Sequence, residues 1–214
     1  MALTFLAIIT ALLAGGRVTM KNWWCIWENR IAPELCEEIK RMGAEIPDAE
    51  GLVGNRKESL NTGDKKNDSR RSKIKFFNYS NAKHKVLFDI VFDHAIAANR
   101  STFGFEIQKV IDVQYTKYLS SEEGFYNWHE DITWCNDNMF QRKLSFSVQL
   151  SDSDDYEGGD LIFDLPPELC PPKETVRKQG TIIIFPSFVR HMVTPVTEGE
   201  RHAMVSWIEG LNFR

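Results

Sequence analysis

The sequence has no excess of positive charge: 26 Lys and Arg stand against 30 Asp and Glu in 214 residues, a formal net charge of −4. That balance argues against a whole-domain electrostatic footprint for nucleic acid, and no nucleic-acid partner is expected. Cysteine is sparse. Cys25, Cys36, Cys135 and Cys170 are scattered without C-x-x-C spacing, which suggests neither a zinc knuckle nor a disulfide framework. They read as free thiols, in keeping with a reducing, cytoplasmic setting. Long hydrophobic runs are also missing. Residues Ala2 to Ala14 are apolar but too short to span a bilayer as a helix, and no Lys or Arg precedes them as a signal peptide's n-region would require. Residues 1–22 are therefore set apart as an apolar extension: a signal or anchor, a start-site artefact ahead of Met20, or an unusual core element. A membrane partner is expected only if that run is an anchor.

What is present suits one domain over residues 23–214, since 43% hydrophobic and 12% aromatic content is ample for a single core. Residues 23–104 read as its helical part. An aromatic strand at Trp23 to Trp27 precedes a helix from Asn29 to Gly43, with Pro33 in its first turn and Gly43 as its stop. Residues 48–73 are polar, rich in Gly, Asn and charge, and without periodicity; they read as a mobile loop, either plainly solvated or a lid over substrate. A strand at Ile74 to Phe77 leads to a second helix at Ala82 to Ala98, capped by Asn81, with His94 partly buried on its apolar stripe and His84 exposed.

From residue 105 to 210 the pattern becomes short alternating strands: Phe105–Tyr115, Tyr126–Asp131, Arg142–Leu150, Asp160–Phe163, Val176–Phe185, His191–Val196 and Arg201–Gly210. The fold class is thus α+β, an antiparallel core with the N-terminal helices packed on the outer face of one sheet.

The chemistry concentrates at Gly124-Phe-Tyr-Asn-Trp-His-Glu-Asp131. In a strand, residues i and i+2 share a face, so His129 and Asp131 converge, and His191, after the apolar run Thr181 to Ser187, is the candidate third ligand. Two imidazoles and one carboxylate leave open positions on a non-haem Fe(II). Arg201 shares a strand face with Ala203, Val205 and Trp207. A buried, unpaired charge is very costly, so Arg201 calls for an anion there: a dicarboxylate ligand, or an internal Asp or Glu.

The ordered set His129-x-Asp131, His191, Gly199 and Arg201, with Asp155-Tyr-Glu-Gly-Gly-Asp-Leu161 and His191-Met-Val-Thr-Pro-Val196, resembles the Fe(II)/2-oxoglutarate-dependent dioxygenases, in their prolyl 4-hydroxylase and PKHD-type hydroxylase branch. The resemblance covers about Phe105 to Gly210. It implies a double-stranded β-helix (jelly-roll, cupin-like) core, catalytic and metal-ligating roles for His129, Asp131 and His191, and Fe(II), 2-oxoglutarate and O2 as cofactor and cosubstrates, with ascorbate as a stimulant. It places Arg201 on the distal carboxylate of 2-oxoglutarate. The spacing Tyr118…Gly124-Phe-Tyr126-Asn-Trp-His129 is similar to the branch's tyrosine motif with two extra residues, which would give Tyr118 to the cosubstrate and Tyr126 to the substrate. Trp128, Arg70 and Arg71 join Tyr126 as substrate-facing candidates. The implied reaction is hydroxylation of a peptidyl residue such as proline in a peptide or protein, with release of succinate and CO2. The alternatives are the same chemistry on a free amino acid or small metabolite, and a cupin-like binding module without catalysis. Asp131 speaks against a halogenase, whose relatives carry a small residue there.

Overall fold

A computed structural model of the chain describes Met20 and residues 22–46, 69–134 and 139–213. The apolar run before Met20 and residues 48–68 of the expected lid lie outside the described residues. Strands β1 (Cys25–Trp27), β2 (Arg70–Arg71), β3 (Lys73–Phe76), β4 (Lys109–Leu119), β5 (Phe125–His129), β6 (Phe140–Gln149), β7 (Tyr156–Gly158), β8 (Leu161–Phe163), β9 (Ile182–Pro186), β10 (His191–Val193) and β11 (Val196–Leu211) form two antiparallel sheets. The larger runs β1-β9-β6-β11-β4-β3, with β7 added at the start of β11; the smaller runs β2-β5-β10-β8. This is the expected double-stranded β-helix.

Helices α1 (Pro33–Glu45) and α2 (Ala82–Ala98) cover the outer face of the larger sheet, and a short α3 (Lys173–Arg177) precedes β9. The period-2 alternation of β9 shows how one strand serves two layers. Ile182 and Ile184 join Ile39, Leu87 and Val91 under the helices, while Ile183 and Phe185 face Phe163 and Val189 on the other side.

Three expectations need correction. Gly43 does not stop α1. It lies inside the helix with the Tyr115 ring against it, so close that a Cβ would sit 2.5 Å from Cγ of that ring; the missing side chain lets helix and sheet approach, which sequence alone cannot tell from a C-terminal signal. His84 is buried rather than exposed, its Nδ1 accepting from the Asn78 amide at 3.1 Å and its ring edge-on to Phe77. The strand expected from Val176 is interrupted: α3 ends at Arg177, and β9 begins only at Ile182. Arg177 explains the break, because its guanidinium binds Asp160 at 2.7 Å and the carbonyls of Gly158, Tyr156 and Ser153 at 2.7, 3.0 and 3.3 Å. The second helix, by contrast, has its expected bounds, with Asn81 Oδ1 accepting from the Lys83 amide at 3.0 Å.

Candidate active site

In the smaller sheet His191 of β10 stands directly opposite His129 of β5, but the next pairing is Val193 with Tyr126. Two steps along β10 thus match three along β5, a bulge that turns Tyr126 and His129 to the same side. Their rings stack with centroids 3.5 Å apart and planes at 16°. Asp131 lies beyond the end of β5, not within it as the alternation argument supposed. Its amide donates to Ser187 O at 2.9 Å, and this bond brings the carboxylate back beside the imidazoles.

The three expected ligands therefore converge. Nε2 of His129 is 3.8 Å from Asp131 Oδ1, Nε2 of His191 is 3.6 Å from Oδ2, and the three residues' ligand atoms all fall within 4.8 Å of one another. These gaps are too long for hydrogen bonds and leave space for a cation among the atoms. Nδ1 of His129 lies 2.7 Å from Asn127 O and Nδ1 of His191 lies 2.9 Å from Val189 O. A proton on each Nδ1 directs both Nε2 lone pairs at the shared point.

The electrostatics agree with a ligand set. Burial, and then the neighbouring His191, push His129 down to about 4, so it is neutral at physiological pH as a ligand must be. Burial alone would raise Asp131, but His191, His129, Ser145 and Arg142 together hold its carboxyl below the usual range. Two imidazoles and one carboxylate fit a non-haem Fe(II) with open positions.

Arg201 points into the same cavity. It is 3% exposed and stands opposite Tyr118 in the β4–β11 pairing, its guanidinium 5.4 Å from that ring's centre. Among the described residues no carboxylate pairs with it, so the internal ion pair left open by the sequence is not formed there. Gly159, at φ +61°, makes the room: a Cβ there would lie 2.9 Å from Arg201 Cδ. Leu161, Phe185, Val193 and Val205 supply apolar walls.

The substrate-facing candidates divide. Tyr118, Tyr126 and Arg70 line the cavity, Arg70 placing its guanidinium 4.5 Å over the Tyr126 ring. Trp128 and Arg71 do not line it. Trp128 falls on the outward side of the bulge beneath the guanidinium of Arg190 at 5.4 Å. Arg71, one residue out of phase with Arg70, binds Glu123 at 3.1 Å on the surface.

Sequence reasoning missed the polar residues inside the barrel. Ser145 donates to Asp131 Oδ2 at 2.6 Å and lies 3.0 Å from Ser187 Oγ. Gln114 and Thr116, 2% and 1% exposed, line the floor with Nε2 to Oγ1 at 2.6 Å. The available signal was serine alternating with apolar residues from Leu144 to Val148, which puts Ser145 and Ser147 on one face of the strand.

Residues 113–209 match the family model described as the 2OG-Fe(II) oxygenase superfamily. The PKHD-type hydroxylase of Synechococcus sp. strain CC9605 is 40% identical over 103 residues, 48% of this chain and 44% of that protein. The chain spans about half the length of the curated relatives it matches. Among solved structures, a Pseudomonas putida prolyl-4-hydroxylase superposes with a TM-score of 0.65 at 17% identity, covering 90% of this chain and 94% of that one. A Trichoplax adhaerens prolyl hydroxylase in complex with a hypoxia inducible factor peptide fragment gives 0.62 at 19% identity, covering 88% and 84%. At such identities the structural likeness establishes the fold.

Proposed function

We propose, from the match of residues 113–209 to the 2OG-Fe(II) oxygenase superfamily model, that the chain is such an oxygenase and hydroxylates a peptidyl residue, proline foremost, with 2-oxoglutarate as cosubstrate. The observation that carries the reading is one cavity holding both the converging His129, Asp131 and His191 and an Arg201 with no carboxylate partner among the described residues. Fe(II) held by those three residues would supply O2 activation coupled to the oxidative decarboxylation of 2-oxoglutarate to succinate and CO2.

The protein's own contribution is positioning and exclusion. Arg201 offers a planar fork that binds a carboxylate through two parallel hydrogen bonds, and its burial keeps that pairing unscreened. Tyr118, across the strand pair, offers a hydroxyl to the same cosubstrate. Ser145 and the Ser187 carbonyl fix the Asp131 carboxylate, and the two backbone-held Nδ1 atoms fix the imidazoles. Apolar walls keep water from the reacting centre. Tyr126 and Arg70 stand at the substrate side, an aromatic face and a cation suited to a peptide's ring and carbonyl groups.

A peptide rather than a free amino acid is supported by the relatives' designation as PKHD-type hydroxylases and by the peptide fragment bound to the Trichoplax protein of the same fold. The test is turnover of a proline-containing peptide library with Fe(II), 2-oxoglutarate and ascorbate, reading succinate release and mass gain of the peptides. One oxygen atom gained per succinate is the expected result. Coupled turnover of free amino acids with every peptide inert would replace the peptide reading.

A further inference from the structure

The described arginines that lie over aromatic rings divide into two sets. Arg71 over Phe125, Arg177 over Tyr156 and Arg190 over Trp128 each also bind a carboxylate: Glu123 at 3.1 Å, Asp160 at 2.7 Å and Asp164 at 3.1 Å. Those three rings stand outside the catalytic cavity. Arg70 over Tyr126, Arg142 over Trp207 and Arg201 over Tyr118 lie 4.5, 4.0 and 5.4 Å from the ring centres. None of them binds a carboxylate among the described residues, and all three of their rings line the cavity.

The neighbouring acids are already committed. Arg142 stands opposite Glu209 in the β6–β11 pairing, but Glu209 binds Lys109 at 3.4 Å. Asp131, although within reach of the Arg142 charge, is turned to the two imidazoles and to Ser145. Arg70 donates its Nε hydrogen to the Ser72 hydroxyl at 2.5 Å, and no carboxylate of the described residues takes the rest of its fork. Arg70 rises from β2 of the smaller sheet and Arg142 from β6 of the larger. Both bear on one group: burial raises the Tyr126 hydroxyl, and the two guanidinium charges oppose it.

Cofactor and cosubstrate do not call for these two charges. Fe(II) and Arg201 would be matched by Asp131 and the two carboxylates of 2-oxoglutarate, which leaves Arg70 and Arg142 over on the substrate side. An unmatched charge beside apolar walls is costly, and an arginine fork fits a carboxylate. We propose that the substrate carries a carboxylate next to the residue it presents to the metal, gripped by Arg70 and Arg142 from the two sheets; the proposal rests on the peptide-hydroxylase reading above. The carboxylate belongs to an acidic side chain flanking the target or to the end of the substrate chain. Stacking on Tyr126 and Trp207 holds each guanidinium in place with its N–H edge left for that contact.

The experiment is anaerobic binding of fluorescein-labelled peptides to the full chain loaded with Mn(II) and 2-oxoglutarate, read by anisotropy. Single-proline peptides are compared with glutamate or glutamine on both sides of the proline, and with the proline last in the chain, its carboxylate free or amidated. At least one carboxylate-bearing peptide should bind about tenfold or more tightly than its neutral counterpart, the gain from one charge-assisted hydrogen bond. Which pair shows the preference tells a side chain from a chain end. Arg142→Gln and Arg70→Gln should each cut the preference, Arg142→Lys should keep part of it, and Arg71→Gln should leave it intact. Unchanged 2-oxoglutarate titrations in the variants would show that the site is folded. Equal binding within every pair, or a preference that survives both Arg142→Gln and Arg70→Gln, would overturn the proposal and leave the oxygenase reading standing. Failure of 2-oxoglutarate to bind the Mn(II) protein would overturn both.

Discussion

The Ser145 hydroxyl donates a 2.6 Å hydrogen bond to Oδ2 of Asp131, the same oxygen that faces His191 across 3.6 Å. A serine on β6, the next strand along the chain, thus decides which way the carboxylate turns. Ser145→Ala should weaken Fe(II) or Co(II) binding about 10- to 100-fold, the usual cost of removing a group that orients a ligand. Metal titration followed by the visible bands of Co(II) checks this. Unchanged affinity would mean that Ser187, 3.0 Å from Ser145, takes over the bond.

Arg201→Leu should weaken 2-oxoglutarate binding by roughly 30- to several-thousand-fold, because truncating one partner of a buried charge pair costs about 2–5 kcal/mol. Iron binding should survive, since Arg201 is not among the three converging ligands. Anaerobic titration of the Fe(II) protein with 2-oxoglutarate, following the absorption that chelation produces, separates the two effects. Equal binding by both proteins would remove the cosubstrate assignment.

His202 makes stability depend on pH. Burial, Lys40 and Lys117 push it down to about 4 from the ordinary histidine value of about 6.5, against the opposing pull of Glu200, with the Tyr115 hydroxyl on its Nδ1. Between those values the unfolded chain binds a proton that the folded chain does not. Stability is therefore complete above about 6.5 and falls as pH drops toward 4, by up to about 3 kcal/mol. Urea unfolding of the metal-free protein from pH 7 to 4 should show that slope, and His202→Gln should make it shallower while leaving the part that His129, also pushed down to about 4, contributes.

Gly43→Ala should destabilise the protein despite alanine's better helix propensity, since the new methyl would meet the Tyr115 ring at 2.5 Å. Overpacking of this kind costs about 1–3 kcal/mol against a propensity gain of about 1 kcal/mol. Urea midpoints decide the sign. A stabilised variant would show that α1 can shift off the sheet.

Most of the site was legible because its parts announce themselves by residue type. A His-x-Asp pair, a histidine after an apolar strand and an arginine on an apolar face are rare enough in combination to be read without coordinates. The helix at residues 82–98 was legible for a similar reason, with periodicity and cap agreeing. What escaped were features that alternate badly. The β5 bulge moved Tyr126 onto the His129 side and Trp128 away from it, and no rule of period two can show where a strand gains a residue. Arg70 and Arg71 look alike in sequence and differ only by which side of β2 they occupy. Gly43 carries two opposite meanings, stop and close approach, and only the neighbouring Tyr115 chooses between them.

Both imidazoles of the site are aimed by main-chain oxygens two residues earlier in the chain, Asn127 O for His129 and Val189 O for His191. Every amino acid carries that oxygen. The tautomer of each histidine is therefore indifferent to the side chain at 127 or 189, so drift at those positions can reshape the surroundings of the centre while the aim of its two nitrogens stays as it is. A carboxylate in the same role would tie each ligand to a second residue that could not change.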